Sequence, residues 1–419
     1  MGAVVAPAVE PVVGAHLLAA QLELARYRKS WIFRRRMNMA KYLWLTWDGA
    51  GNLPPSLAIA EALTKRGDTV TFAGRPEMVS RVQAAGFKTI VIENAYTQAD
   101  TYPKSLLSRM ACYLSSPRVS EEIVQIVEAH HPDVVVVDAM FPAALAQVSK
   151  FNRATIMTCY TFFHRAYHAW NKQFDEFIAM REEAGLGRLP GMEQLWRGPD
   201  RIVVATLEEF DRPAIADAPT QVQHVGPILG GHNSAIAPES VRLPPGTEPL
   251  ALVSFSTAGI QNSVETFQRA LNALASLPLR VVVTTANTID AKALEVPANA
   301  VVVGYADHEA LLPDAALVVT HGGHGTAMRT LKYGVPAIIM PSLAQDQPVI
   351  AATFEEWGCG LSLPSDASVD AIQAAAKKVL STPSFRKNAQ ARTGALAKAQ
   401  NGAEKAADVF QSIAQRDSA

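Results

Sequence analysis

The 419-residue chain has few cysteines, few aromatic residues and almost no excess of either charge. Its three cysteines lie far apart in the sequence, which excludes a disulfide framework and makes a reducing cytoplasm the expected compartment. The formal net charge of −1 gives no electrostatic reason to bind nucleic acid. No apolar run reaches the roughly 18 residues that a membrane-spanning helix requires. The composition therefore predicts a soluble, cytoplasmic globular protein.

Patterns typical of metal sites are also missing. The ten histidines are scattered, without a cysteine and histidine spacing that suits a metal ion. No Asp-x-Asp motif is present to hold a cation beside a diphosphate. We therefore expect neither a metal nor a resident cofactor.

Residues 1–38 have a composition of their own. Residues 4–20 are apolar, and the basic residues at 26–36 follow them, which is the reverse of the order in a secretory signal. One interpretation is an extension upstream of a natural start at Met37 or Met39. The other is an amphipathic basic arm that makes weak contact with anionic lipid.

From residue 39 onward, β-branched runs alternate with helical sequence in two blocks. The length suits two cores, and this alternation predicts an α/β protein with two doubly wound, Rossmann-like domains. We expect an N-terminal domain at 39–225, a linker at 226–248 and a C-terminal domain at 249–419. The predicted strands are 42–46, 69–72, 134–137, 154–157 and 201–205, then 251–255, 281–285, 301–303, 317–320 and 337–340; residues 55–65 are predicted to form a helix.

Residues 318–326 carry the strongest chemical signal. A β-branched run ends at Thr320, and glycines stand at positions 322, 323 and 325. A helix is expected to begin near Thr326. Amides at a helix N-terminus lack partners within the helix and carry the positive end of its dipole. Glycines let an anion approach the main chain. This glycine loop (residues 321–326) is therefore predicted to bind a diphosphate, with His321 donating to it, whereas His324 is expected to be structural.

Residues 301–363 resemble the donor-binding signature of the UDP-glycosyltransferase superfamily, in its bacterial natural-product branch. The likeness rests on residues 304–308, the glycine loop and the Asp346–Gln347 pair. It implies the GT-B architecture, in which two Rossmann-like domains face each other across a cleft. It also implies base stacking by residues 304–308, diphosphate binding by the glycine loop and sugar binding by the pair. The predicted donor-binding residues are Ser256, Thr257, Tyr305, His308, His321, Gly323, Gly325, Thr326, Arg329, Asp346 and Gln347.

The chain departs from this family after its first strand. Relatives carry a histidine base there, held by an aspartate; here the matching residues are Asn52 and Asp138. An amide cannot accept a proton near neutral pH. Asp138 can be the base, directly or through a water. Alternatively Asp48, or His164 or His168, takes this role. The third possibility is that catalysis is weak or absent.

A second departure concerns the nucleotide. Relatives that use a ribonucleotide place a glutamate, which binds the ribose hydroxyls, three residues after the threonine of the glycine loop. Arg329 stands there and cannot accept a hydrogen bond. This favours a dTDP-activated deoxysugar and leaves UDP-sugars open. A helix arginine that faces solvent is the alternative interpretation.

The acceptor is expected in the N-terminal domain, around residues 96–113 and 160–177. These segments mix aromatic residues with few charges, which suits an apolar hydroxylated small molecule or lipid. The predicted acceptor contacts are Phe141, Phe162, His164 and His168. Aromatic residues at helical spacing also occur in ordinary cores.

The resemblance implies an inverting, metal-independent transferase that moves a sugar from a dTDP- or UDP-sugar to a hydroxyl group. The alternative is a non-catalytic relative that binds a nucleotide sugar as an auxiliary protein. An epimerase needs more buried acidic groups than the sequence offers. A monomer or a homodimer is expected.

Overall fold

Two parallel β-sheets, each with apolar side chains on both faces, organise the chain in the computed structural model. The structure describes residues 2, 39–47, 51–94, 114–183, 185, 187–229, 241–258, 261–342, 346–399 and 401–415. The predicted extension at 1–38, apart from residue 2, lies outside the described residues, as do Asp48, the segment 95–113 and the middle of the linker.

The first sheet has the order β3-β2-β1-β4-β5-β6-β7, and all of its pairings are parallel. Its strands are β1 (Lys41–Leu45), β2 (Thr69–Gly74), β3 (Lys88–Val91), β4 (Val134–Asp138), β5 (Ala154–Cys159), β6 (Arg201–Val204) and β7 (Val222–His224). The helices between them are α1 (Leu53–Lys65), α2 (Pro76–Ala84), α3 (Pro117–His130), α4 (Pro142–Leu145), α5 (Tyr167–Glu183) and α6 (Met192–Leu195).

The second sheet has the order β10-β9-β8-β11-β12-β13 and is also wholly parallel. Its strands are β8 (Leu250–Ser254), β9 (Arg280–Thr284), β10 (Ala300–Val303), β11 (Ala315–Thr320), β12 (Ala337–Ile339) and β13 (Gly360–Ser362). The accompanying helices are α7 (Val264–Leu274), α8 (His308–Leu311), α9 (His324–Lys332), α10 (Asp346–Glu356), α11 (Val369–Ser381), α12 (Pro383–Lys398) and α13 (Gly402–Ala414).

Burial on both faces explains the valine-rich strands. In β4 every residue is buried, and alternate side chains enter two different apolar clusters. The alternate residues of β8 divide in the same way. Such continuous apolar runs are what parallel sheets covered by helices require. The predicted strands are present with ends shifted by at most two residues; the short strands β3, β7 and β13 were not predicted.

Each sheet has a topological switch point near its centre. In the first sheet the chain order reverses between β1 and β4, and in the second between β8 and β11. Connections leave in opposite directions from two such strands, which opens a crevice at their carboxyl ends. The structure thereby confirms the predicted α/β class with two doubly wound sheets.

The last helix, α13, lies within the residues predicted to form the C-terminal domain (249–419). In the structure it packs against the N-terminal sheet instead. Phe410 packs against Trp44 of β1, with ring centroids 5.5 Å apart. Arg66, at the end of α1, pairs with Glu404 at 2.6 Å and with Asp408 at 2.7 Å. By packing, α13 therefore belongs to the N-terminal sheet. Its apolar stripe matches the face of β1 and α1, which the sequence order does not reveal.

None of the helices in the described parts of the chain combines the length and the apolar character that a membrane crossing requires.

Candidate active site

The glycine loop connects β11 to α9, as predicted. Gly322 has a φ of +90°, and a Cβ atom there would lie 2.8 Å from Cγ2 of Ile339. A Cβ on Gly323 would lie 2.7 Å from Nε2 of His321. Gly323 is also the N-cap of α9, with no side chain to bind the first amides of the helix. The backbone therefore presents first-turn amides at the switch point of the second sheet.

His321 is buried at the start of this loop, with 8% of its surface exposed. Burial lowers the pKa of its imidazole to about 4, while a hydrogen bond to the backbone of Ser254 acts in the opposite direction. The ring is therefore neutral at pH 7. A neutral imidazole has one N–H, so the second ring nitrogen gains a donor only by taking up a proton.

His324 is the first residue of α9 and contacts the other half of the molecule. Its ring stands edge-on to Phe162 at a centroid distance of 5.4 Å. Among the described residues, none provides a hydrogen-bond partner for the buried Nε2 of His324, and burial lowers the pKa of the ring to about 4. The structural role expected for His324 stays a prediction.

Ser256 and Thr257 follow β8 at the same switch point. Ser256 is buried, and its backbone N–H donates to Oδ1 of Asn262 at 3.1 Å. Nδ2 of Asn262 donates in turn to the hydroxyl of Thr288. Thr257 is exposed. Asn262 thus fixes the turn that presents these two residues, although no sequence motif marks it.

The predicted base-stacking segment lies beyond β10. The Tyr305 hydroxyl donates to the carbonyl of Ala286 at 2.9 Å, which holds its ring in place. Nε2 of His308 lies 3.3 Å from the hydroxyl of Thr284 at the end of β9. Burial lowers the pKa of His308 to about 4. Both side chains are therefore positioned as uncharged rings.

Arg329 does not face solvent freely. Its guanidinium donates to the carbonyl of Leu229, where the linker begins, at 2.6 Å and lies 3.6 Å from the carboxylate of Glu309. The same helix holds Thr326, whose carbonyl accepts from Thr330. A Cβ on Gly325 would lie 3.4 Å from Nη1 of Arg329. Arg329 therefore connects helix α9 to the linker.

Asp346 and Gln347 open α10, beyond the carboxyl end of β12. Oε1 of Gln347 accepts from the backbone and the hydroxyl of Ser342, and Nε2 donates to Gln261 at 3.2 Å. Burial raises the pKa of the Asp346 carboxyl to about 6, while the Thr161 hydroxyl of the N-terminal domain acts to lower it. The pair thus lies where the two domains meet.

Asp138 and Asn52 flank the switch point of the first sheet. Nδ2 of Asn52 donates to Oδ2 of Asp138 at 2.5 Å. Oδ1 of Asp138 accepts from the backbone of Met140 at 2.8 Å and from the indole of Trp47 at 3.3 Å. Burial raises the pKa of Asp138 to about 6 against these three donors. The carboxylate is therefore surrounded by donors from the protein itself.

The predicted acceptor residues occupy different surroundings. Phe141 and Phe162 are fully buried, with Phe162 at the contact with His324. His164 accepts from the backbone of Ile215 at 3.3 Å, and His168 is exposed beside Tyr167. The structure does not bring either histidine into hydrogen-bond contact with Asn52 or Asp138. Asp48 and residues 96–113 lie outside the described residues.

In the described part of the chain, His164, Asp211 and His224 form the one group of three side chains spaced for a metal ion. The carboxylate of Asp211 is already bonded by the backbone amides of residues 163–165 and by His224 at 2.9 Å. Asp211 thus acts as an internal cap that holds the start of the segment leading to α5. No motif distinguishes this aspartate in the sequence.

The carboxyl ends of the two sheets face each other. Phe162, after β5, touches His324, after β11, and Arg165 pairs with Glu356 of α10 at 2.6 Å. The two switch points are therefore on opposite walls of one interdomain crevice. The glycine loop lies on one wall, and Asn52 and Asp138 lie on the other.

Comparison with known proteins places this geometry among glycosyltransferases. Residues 268–410 match the family described as erythromycin biosynthesis protein CIII-like, C-terminal domain. The chain is 25% identical over 358 residues to the NDP-glycosyltransferase YjiC of Bacillus subtilis (strain 168), covering 79% of this chain and 86% of that protein. It is 23% identical over 403 residues to demethyllactenocin mycarosyltransferase of Streptomyces fradiae, covering 90% and 87% of the two chains.

Solved structures show the same fold. The calicheamicin glycosyltransferase CalG4 superimposes with a TM-score of 0.70 at 20% identity, covering 90% of this chain and 99% of that one. Glycosyltransferase VinC, solved in complex with dTDP, gives a TM-score of 0.64 at 18% identity over 90% of this chain and all of that one. The architecture of two facing domains is thus the GT-B fold.

Proposed function

Because this chain belongs to the bacterial natural-product branch of the UDP-glycosyltransferase superfamily and is a glycosyltransferase, we propose that it transfers a sugar from a dTDP- or UDP-sugar to a hydroxyl group of an apolar small molecule. The observation that carries this proposal is the opposition of the two switch points. One wall presents helix amides and His321, and the other presents Asn52 and Asp138. The anomeric carbon would lie between them.

The donor diphosphate binds at the glycine loop. The first-turn amides of α9 and the positive end of its dipole suit a dianion. Gly322 and Gly323 leave the main chain uncovered at this point. Burial lowers the pKa of His321 to about 4, and the negative charge of a diphosphate beside the ring would favour its protonated form. These groups stabilise the departing nucleotide, so we assign charge neutralisation to them and not to a metal ion or other cofactor.

The nucleotide is a dTDP group in this proposal, with UDP as the alternative. Arg329 is held by Glu309 and by the carbonyl of Leu229, and it offers no acceptor for a ribose 2′-hydroxyl. A deoxyribose does not need that acceptor. The rings of Tyr305 and His308, both fixed by hydrogen bonds, provide the surface for the base.

Transfer proceeds with inversion. The acceptor oxygen attacks the anomeric carbon from the N-terminal wall while the diphosphate leaves toward the C-terminal wall. Asp346 and Gln347 orient the sugar between the walls, since Gln347 is already fixed by Ser342 and Gln261. Asp138 supplies the negative charge on the acceptor side and acts on the acceptor through Asn52 or a water, because its oxygens are bonded by three protein donors.

The cytoplasm is the proposed site of action, and the buried Cys159 and Cys359 are free thiols, which agrees with a reducing compartment. We propose a monomer or a homodimer.

Thermal-shift titration with dTDP-, UDP- and GDP-sugars tests the donor assignment. A bound ligand raises the melting temperature by mass action, so a dTDP-sugar should give the largest shift and a GDP-sugar the smallest. Asp138→Asn should give the same shift as the wild type while its transfer to an acceptor falls by about 10-fold or more, because the carboxylate that orients and polarises Asn52 is lost. If no nucleotide sugar shifts the melting temperature, the proposed function is wrong. If nucleotides bind and no acceptor reacts, the chain is an auxiliary binding protein.

A further inference from the structure

The side-chain oxygen of Asn52 is a buried acceptor without a donor. Asn52 is the N-cap of α1 and has 9% of its surface exposed. Its Nδ2 donates to Asp138 at 2.5 Å, and an ionised carboxylate only accepts, so the orientation of the amide is fixed. Among the described residues, no donor lies within hydrogen-bond distance of its Oδ1. A buried acceptor left in this state is costly unless a ligand supplies the donor.

The negative charge of Asp138 makes Oδ1 of Asn52 a better hydrogen-bond acceptor, while the carboxylate itself stays buried. Asp138 has 3% of its surface exposed, and both of its oxygens are bonded by protein donors. Polarisation along the chain from Asp138 to the amide strengthens a hydrogen bond accepted at Oδ1. The hydroxyl of Ser56 donates to the backbone carbonyl of Asn52 and contacts the Tyr160 hydroxyl at 2.7 Å. A group that could take a proton therefore does not touch Asn52 Oδ1 within the described chain.

An amide oxygen orients a hydroxyl group but does not remove its proton. An aliphatic alcohol needs a base in the transition state, and such a base contributes about 100- to 10,000-fold to the rate. A phenol or an enol loses its proton to solvent far more readily. Since the described residues place no base at this contact, transfer there is expected to favour an acidic acceptor.

We propose that Asn52 Oδ1 receives the acceptor hydroxyl, and that the acceptors of this enzyme are acidic hydroxyl compounds, phenols or enols, and not aliphatic alcohols. This inference rests on the proposed transferase function. In the step, the acceptor oxygen forms a bond to the anomeric carbon as the bond from that carbon to the phosphate oxygen breaks. The electron pair of the broken bond leaves with the nucleoside diphosphate, and the acceptor proton goes to solvent.

The test compares a naphthol with the naphthylmethanol that carries the same ring, using the nucleotide sugar that gives the largest thermal shift. The kcat/KM for the naphthol should exceed that for the alcohol by about 100-fold or more. Asn52→His should raise transfer to the alcohol by about 10-fold or more, so the ratio of the two kcat/KM values should fall. The melting temperature of the variant serves as the folding control, and the wild-type comparison does not depend on it.

Equal transfer to both acceptors would overturn this inference and leave the transferase function intact, since a base such as Asp48 would then be acting. Turnover of the alcohol alone, or donor hydrolysis without transfer to any phenol or enol, would overturn it as well. The absence of nucleotide-sugar binding would instead remove the proposed function on which it rests.

Discussion

At the scale of single residues, buried ionisable groups define the two walls of the crevice. Burial raises the pKa of Asp138 to about 6 and that of Asp346 to about 6. It lowers the pKa of His321 and His324 to about 4 each. Strongly perturbed groups that gather in a cleft are typical of functional sites, because a site prepared for a ligand is rarely optimal for stability.

Asp138→Asn should therefore gain stability relative to the wild type as the pH rises. The folded carboxyl has a pKa of about 6 against an ordinary 3.8, so the wild-type protein loses stability as pH rises from about 4 through 6. The asparagine variant does not titrate. The unfolding free energy of the variant minus that of the wild type should increase by about 1 kcal/mol between pH 5 and pH 7, measured by urea denaturation.

The buried Asp211, which is hydrogen-bonded to His224, offers a control position for the same measurement. Its carboxylate is bonded by the backbone amides of residues 163–165 and by His224, so Asp211→Asn should lower the unfolding free energy by removing these bonds. A pH-independent difference for Asp138→Asn would contradict the burial of an ionisable carboxyl at the end of β4.

At the scale of elements, the connection from β11 to α9 combines three requirements in six residues. Strand β11 must end at the carboxyl end of the sheet, and the turn needs a residue without a side chain at Gly322. The helix must begin with amides that no side chain caps. Each requirement is local, which explains why the sequence alone located this loop.

Gly322→Ala should destabilise the protein and weaken donor binding. Alanine at a φ of +90° is strained, and its Cβ would lie 2.8 Å from Ile339. We expect a loss of at least about 1 kcal/mol in unfolding free energy and a smaller thermal shift with the nucleotide sugar.

Gly394→Ala is the matched control for this change. Gly394 lies within α12, and a Cβ there would meet nothing within 4 Å. The same substitution should therefore stabilise the protein by about 0.5–1 kcal/mol, with donor binding unchanged. Equal effects at the two glycines would contradict the left-handed conformation of Gly322.

At the scale of the whole molecule, the chain returns to its first domain at the end. Helix α13 packs on β1 and α1 after the chain has completed the second sheet. Arg165 adds a second connection through Glu356 and through the ring of Trp357, 5.5 Å away. The relative position of the two walls therefore depends on these contacts as well as on the linker.

Phe410→Ala should weaken the attachment of α13. The fully buried ring packs against Tyr42 and Trp44, and its removal leaves a cavity in the first core. The expected cost is about 3–5 kcal/mol in unfolding free energy by chemical denaturation. Glu404→Ala on the same helix removes only an exposed ion pair with Arg66, so its cost should stay below about 1 kcal/mol. Equal costs would show that α13 is not held by its apolar face.

Much of the donor wall was predictable, since its residues follow one another in the chain. The strand positions, the glycine loop and the helix after it came from local patterns, and the structure has them where expected. Strands β3, β7 and β13 were not predicted because they are three or four residues long and only partly apolar. The individual roles of the donor residues stay predictions.

The sequence by itself determined the class, the two blocks of strands and the anion-binding loop, because β-branched runs, glycines and helix starts act over a few neighbouring residues. Only the tertiary structure decided that Asn52 turns its amide N–H toward Asp138, that Arg329 reaches the linker and that α13 crosses to the first sheet. These contacts join residues 86 to more than 300 positions apart. Their formation depends on which surfaces meet after the sheets have folded, and no local pattern encodes that choice.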